Sequence, residues 1–250
     1  MFDRRGVSES LGFVFVFGII VSMTAVVYVT AFDDLQETRD FEQGNNAQRA
    51  FDVLKANVED VSQRGAPSRG TEVKLSDAQL YAGDDVRINV TVFESGNQSN
   101  NASFTPNVQP IVYETEDSAI VYTNGAVFRR SPGGTVMVQE PEFVLDDERV
   151  VIPLVHTYVS GDVSSVGGDR TVLVRTLNDH PDGLPDVMDV PDVSEYNVTI
   201  SMTTPRAEAW VDYFESEDLD CNRSGDDLQC WNDDVDRVQV TRTLVKVVFE

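Results

Sequence analysis

The chain has 250 residues, 43 acidic and 19 basic, for a formal net charge of −24. That balance excludes nucleic acid as a partner and argues against docking on anionic lipid heads, because both need a basic face. Two histidines and two cysteines leave few ligands for a zinc or haem centre, and a 41% hydrophobic content excludes wholesale disorder.

The acid surplus is uneven. Residues 1–32 are neutral overall, with Asp3 and Glu9 set against Arg4 and Arg5, so residues 33–250 carry the whole −24. Arginine is kept while lysine falls to three, Lys55, Lys74 and Lys246. Such a surface suits concentrated salt, where carboxylates hold water and cations and the salt screens their repulsion.

Residues 10–32 are uncharged and rich in Phe, Val and Ile. As a helix they span about 35 Å, enough to cross a hydrocarbon core. The stretch is too long for the apolar part of a cleaved secretory signal and has no polar stripe, so it reads as a retained membrane helix with the lipid core as its partner. Arg4 and Arg5 precede it, and no base follows until Arg39. The positive-inside rule then puts the N-terminus in the cytoplasm and residues 33–250 outside.

Beyond it, Phe41, Ala47, Phe51, Leu54, Val58 and Val61 form a helical stripe, with acids on the other faces. Residues 33–66 are therefore expected to be an amphipathic stalk, with Gly44-Asn45-Asn46 as a weak point. From Thr71 the period changes to two. Strands are expected at 72–80 and 86–93, joined as a hairpin through Ala82-Gly83-Asp84-Asp85. Residues 97–107 are polar and read as a loop. Short strands follow at 111–114 and 119–123, and Asn124-Gly125 turns the chain into another at 126–130. Further strands are expected at 135–139, 150–159, 171–177, 196–203 and 235–249, with one short helix at 205–214. The expected fold is thus an N-terminal transmembrane and amphipathic helix, then a mainly β head over 67–250, built as a sandwich or rolled antiparallel sheet.

Two features suit an exterior location. Asn-x-Ser/Thr acceptor sites for glycosylation occur at Asn89, Asn97, Asn101, Asn197 and Asn222, against roughly two expected by chance from the composition. Cys221 and Cys230 would close a short disulfide loop in an oxidising compartment. Asp220, Asn222 and Ser224, followed by Gly225, have the outline of the opening half of a calcium loop. Position twelve of that loop is Trp231, which cannot supply a carboxylate. The segment Asn178-Asp179-His180-Pro181-Asp182-Gly183 has a similar outline. No nucleophile elbow, paired metal histidines or phosphate-cradling loop is found, so neither an enzyme nor a cofactor is expected. Trp210, Tyr213, Phe214 and Trp231 read as core rather than a ligand face.

Arg4-Arg5-Gly6-Val7-Ser8-Glu9-Ser10-Leu11-Gly12, running into the apolar helix, resembles the class III signal of archaeal type IV pilins. Val7, Ser8 and Gly12 match the haloarchaeal pattern Val-Ser-Pro-x-x-Gly, with Glu9 in place of the proline. The resemblance implies a basic leader over 1–6, cleavage between Gly6 and Val7 by a prepilin peptidase, and a mature protein that keeps 7–32 as its membrane helix. It also implies self-association or association with other pilin subunits in a surface filament. The remainder of the chain is similar to an uncharacterised haloarchaeal surface family. The alternative expectation is a permanently anchored ectodomain that binds a solute or protein without polymerising.

Overall fold

The computed structural model describes the backbone of residues 5–250 and the side chains of 11–28 and 42–250. The chain divides into two compact units, Met1–Asn45 and Asn46–Glu250.

The elements, in chain order, are α1 (Arg5–Ser62), β1 (Ser68–Lys74), β2 (Ala78–Ala82), β3 (Val86–Glu94), β4 (Asn97–Phe104), β5 (Asn107–Val108), β6 (Ile111–Glu114), β7 (Ala119–Thr123), β8 (Ala126–Ser131) and β9 (Gly134–Gln139). They continue with β10 (Val144–Leu145), β11 (Arg149–Val159), β12 (Ser165–Gly168), β13 (Thr171–Asn178), β14 (Asp186–Val187), β15 (Tyr196–Thr203), α2 (Ala207–Ser216), β16 (Asp220–Ser224), β17 (Asp227–Val235) and β18 (Arg237–Phe249). The sequence thus folds as an N-terminal apolar helix followed by a mainly β head.

In the first unit, Leu11–Tyr28 has a mean hydropathy of 2.3 and is long and apolar enough to cross a membrane. Its large side chains are exposed on all sides, from 49% at Val21 to 71% at Phe13. Its hydroxyls are turned back on the helix. Ser22 Oγ donates to the Gly18 carbonyl at 2.8 Å and Thr24 Oγ1 to that of Ile20 at 2.9 Å. Polar atoms are thereby satisfied within the helix and the outer surface stays apolar.

In the second unit, three six-stranded sheets surround two cores. The first sheet has the order β1-β13-β18-β11-β10, with β14 also on β18. Its long pair, β11 and β18, is parallel over Arg149–Val159, while the other pairs are antiparallel. The second sheet is β12-β2-β6-β7-β8-β9 and the third is β16-β17-β15-β3-β4, with β5 on β3.

The last turns of α1 fill one core. Ala47, Phe51, Leu54, Val58 and Val61 are buried, at spacings of three and four, against Val172, Val174, Val245 and Val247 of the first sheet and Tyr113, Ile120 and Tyr122 of the second. The weak point at Gly44-Asn45-Asn46 does not interrupt the helix. Its end is tied down by Thr243 Oγ1, which donates to the Ser62 carbonyl at 3.0 Å, and by Asn57 Nδ2, which donates to Thr71 Oγ1 at 2.8 Å. Asp60 accepts from both Arg64 and Arg69, which hold its carboxyl below the usual range.

The second sheet divides the two cores. Ile111, Tyr113, Ile120 and Tyr122 face the helix core, while Val112, Val121 and Phe128 join the other core with β3, β15 and α2. This accounts for the unbroken burial of β7 and for its continuous apolar run, because a strand covered on both faces has no polar side. The turn between β7 and β8 is also buried. Asn124 has φ +47° and accepts from the Val155 amide at 2.8 Å through Oδ1. An Asn side chain both tolerates the left-handed backbone and supplies the partner that a buried N–H requires.

Four local expectations are corrected. Strands β1, β2 and β3 are not a hairpin: each enters a different sheet. Residues 97–104, read as a loop, form β4 on the free edge of β3, where an outward strand needs no apolar side chains. Residues 220–235, beyond the expected elements, form the hairpin β16–β17, half of it exposed and polar. Helix α2 lies two residues later than expected, with Arg206 at its N-cap position.

Candidate functional site

The five Asn-x-Ser/Thr acceptor sites all lie on the third sheet. Its central strands β3 and β15 alternate. On β3, Val86, Ile88, Val90 and Val92 point into the core, so Arg87, Asn89, Thr91 and Phe93 point out. On β15, Val198, Ile200 and Met202 point in, so Asn197, Thr199 and Ser201 point out. Strand register then aligns the acceptors in rows. Asn222, Gln229, Ser201 and Asn89 stand opposite one another across four neighbouring strands. Asn197, Phe93 and Asn101 form a second row. Asn97 lies at the end of β4 beside Glu94, to which its Nδ2 donates at 3.0 Å.

At Asn89 the geometry places the acceptor amide beside its hydroxyl. In a strand, residues i and i+2 share a face, so Asn89 and Thr91 point the same way, and Asn89 Nδ2 donates to Thr91 Oγ1 at 3.2 Å. Thr105 Oγ1 donates to Asn89 Oδ1 at 2.9 Å. Asn101 Nδ2 donates to the Gln98 carbonyl at 2.9 Å, and Asn197 Oδ1 accepts from the Asp234 amide at 3.3 Å. Asn89 and Asn222 open on one shallow groove of about 550 Å3, which Arg87, Ser201 and Gln229 also line.

Cys221 and Cys230 are directly opposed on β16 and β17 and are joined by a disulfide. Cys230 is fully buried in the core, so the bridge fastens the exposed edge strand to the interior.

The calcium-loop expectation at Asp220, Asn222 and Ser224 is corrected. These residues lie on β16, an extended strand paired with β17. Same-face residues of a strand are about 6.5–7 Å apart, whereas calcium oxygens must converge to about 2.4 Å from one point. Among the described residues, no group of three or more His, Cys, Asp or Glu could hold a metal ion.

The segment around His180 is likewise engaged by the protein itself. Asp179 accepts from the Tyr158 hydroxyl, and Asp186 accepts from Arg242 Nε at 3.0 Å. His180 Nε2 lies 3.1 Å from Asp186. The Arg242 guanidinium, with His180 second, holds the Asp186 carboxyl below its ordinary value. His156 stands half-buried on β11, and burial holds its pKa below the usual value.

Trp210, Tyr213 and Phe214 are core residues of α2, packed with Phe128 and Phe143. Trp231 stands apart from them on β17, half-buried. Gly6 and Val7 lie outside the residues whose side chains are described. Sequence reasoning overlooked the hydrogen-bonded group Tyr81–Glu114–Arg130, brought together from β2, β6 and β8. Alternating burial could have placed Glu114 and Arg130 outward, but not side by side.

Comparison with curated proteins and with solved structures gives no match. A family model does match, from the first turn of α1 almost to the end of β18. Over those residues, 5–248, the chain belongs to DUF7289, a family of unknown function.

Proposed function

We propose that this protein is a pilin-like cell-surface subunit of a salt-loving archaeon. Residues 7–32 hold it in the membrane, the N-terminus is cytoplasmic, and the acidic head is outside. A prepilin peptidase cuts between Gly6 and Val7. The apolar helices then leave the lipid to pack against one another or against those of other pilin subunits, for filament assembly, adhesion or surface organisation. The third sheet carries sugars on its outward asparagines.

The observation that carries this reading is a single helix with two different faces to satisfy. Among the described residues, the large side chains of Leu11–Tyr28 are apolar and exposed on every side, while Ala47–Val61 is already the core of the head. A subunit that bundles through one stretch and folds around the other needs that division of labour. The clustering of all five acceptor asparagines on one sheet supports an exterior head, because sugars need an exposed face.

Intact-mass measurement of the protein purified from its native membrane tests the reading, with Gly6→Leu beside it. The expected result is a mature chain beginning at Val7, an uncut Gly6→Leu chain, and recovery of the cut form in sheared filaments. A mature chain that begins before Val7, with processing indifferent to Gly6, overturns it. Cleavage at Gly6 without recovery in filaments favours the anchored ectodomain.

A further inference from the structure

A cavity of about 560 Å3 lies between the second sheet and the start of α2. Tyr81, Val112, Glu114, Val121, Phe128 and Arg130 line it, and Arg206, the residue before α2, enters it. Its size is that of a small-molecule site.

The charges in it do not balance in the ordinary way. Glu114 is already committed. It accepts from the Tyr81 hydroxyl at 2.7 Å through one oxygen and from Arg130 through the other. Arg206 has no such partner. Its Nε is sealed from solvent and meets no hydrogen-bond acceptor, and no ion pair among the described residues includes it. Its guanidinium carbon stands 5.8 Å over the centre of the Phe128 ring, which fixes its position. Two side chains act on it across the cavity, Tyr81 first and then Arg130, a second cation. Burial brings Arg206 down to about 10, so it still carries its charge at neutral pH. A half-buried guanidinium with a sealed Nε and no counter-ion is costly, and this one sits in a chain with more than two acids for every base.

We propose that this cavity binds a small organic carboxylate, held by the guanidiniums of Arg206 and Arg130, with its apolar body against Val112, Val121 and Phe128. The planar fork of arginine matches a carboxylate. Asp84, Asp85 and Asp226 also line the opening and repel anions of higher charge, which selects a monoanion over a phosphate. The apolar wall selects an organic anion over chloride. The site belongs to the head alone and stands or falls separately from the filament reading.

Isothermal titration of the full chain in detergent micelles tests it, with sodium butyrate as the probe at fixed sodium chloride and butan-1-ol as the neutral counterpart. Butyrate is expected to saturate one site per chain, and butan-1-ol is not. Arg206→Gln is expected to weaken butyrate about tenfold or more, the scale of a lost charge-assisted bond, and Arg130→Gln about threefold. Equal binding of acid and alcohol by the wild type overturns the proposal, as does no saturable heat from butyrate. Unchanged affinity in an Arg206→Gln chain that melts like the wild type also overturns it. Should Arg206→Gln not fold, the wild-type pair of probes and Arg130→Gln, which alters a half-exposed residue, decide the matter alone.

Discussion

Two stretches of one helix solve opposite problems. Leu11–Tyr28 and the turns from Ala47 to Val61 both belong to α1. In the first, large apolar side chains face every direction and remain exposed. In the second, the stripe at spacings of three and four is buried, while most other positions are polar and the apolar Val53 stays exposed. The difference follows from what each stretch must meet. A helix that packs on a protein core needs one apolar stripe, and water claims its other faces. On the proposed reading the first stretch meets lipid instead, and a helix in lipid has no face to leave polar. Membership of one continuous helix therefore says nothing about the solvent of each part. The side-chain pattern does.

The sharpest way to break this contrast is to truncate one side chain in each stretch. Leu54→Ala opens a cavity between two sheets and is expected to destabilise the head by about 3–4 kcal/mol. Phe17→Ala, which removes a larger side chain, is expected to leave the head's melting within about 0.5 kcal/mol of the wild type. Thermal unfolding of the head, followed by near-ultraviolet circular dichroism, reads both. A large effect of Phe17→Ala on head stability would show that the two stretches are not independent.

The reverse substitution inserts a charge. Ile20→Lys costs about 3 kcal/mol at the centre of a membrane helix. The expected result is loss of the chain from the carbonate-washed membrane fraction, with head melting unchanged.

Polar groups in the head obey the same rule of replacement partners. Asn124→Ala leaves the buried Val155 amide without its acceptor and places a β-carbon in the left-handed region, for an expected loss of about 3 kcal/mol. Asn124→Gly relieves the backbone strain and is expected to lose about 2 kcal/mol. The gap between the two variants, with the hydrogen-exchange rate of the Val155 amide, separates strain from the lost bond.

The smallest effect is on pH. Arg242 and His180 depress the Asp186 carboxyl, so their stabilisation is fully present above the ordinary carboxylate value near 4 and is lost as the pH falls through the depressed one. Between pH 6 and pH 3 the wild-type head is expected to lose more melting temperature than Asp186→Asn. Parallel acid limbs in the two proteins would remove Asp186 from the account.

Legibility in the sequence followed the range of the interaction. The apolar run of α1 and its later stripe are periodic signals, and both can be read one turn at a time. The Asn124-Gly125 turn announces itself because few residues accept its backbone. The β16–β17 hairpin did not, since an exposed edge needs no apolar alternation. The supposed hairpin of residues 72–93 failed for a related reason. Strand character is local, but the choice of partner is not, and β1 pairs with β13 a hundred residues on.

The sequence by itself determined the helices, the alternating strands, the acidic composition and the membrane-length apolar run, because each is set by side-chain period or composition. Tertiary structure alone decided that five scattered asparagines share one sheet, that residues 220–224 are extended rather than wrapped about a cation, and that Arg206 and Arg130 line one cavity. Those are facts about which strands lie side by side. Strand order depends on the burial of whole faces, and no window of the sequence contains it.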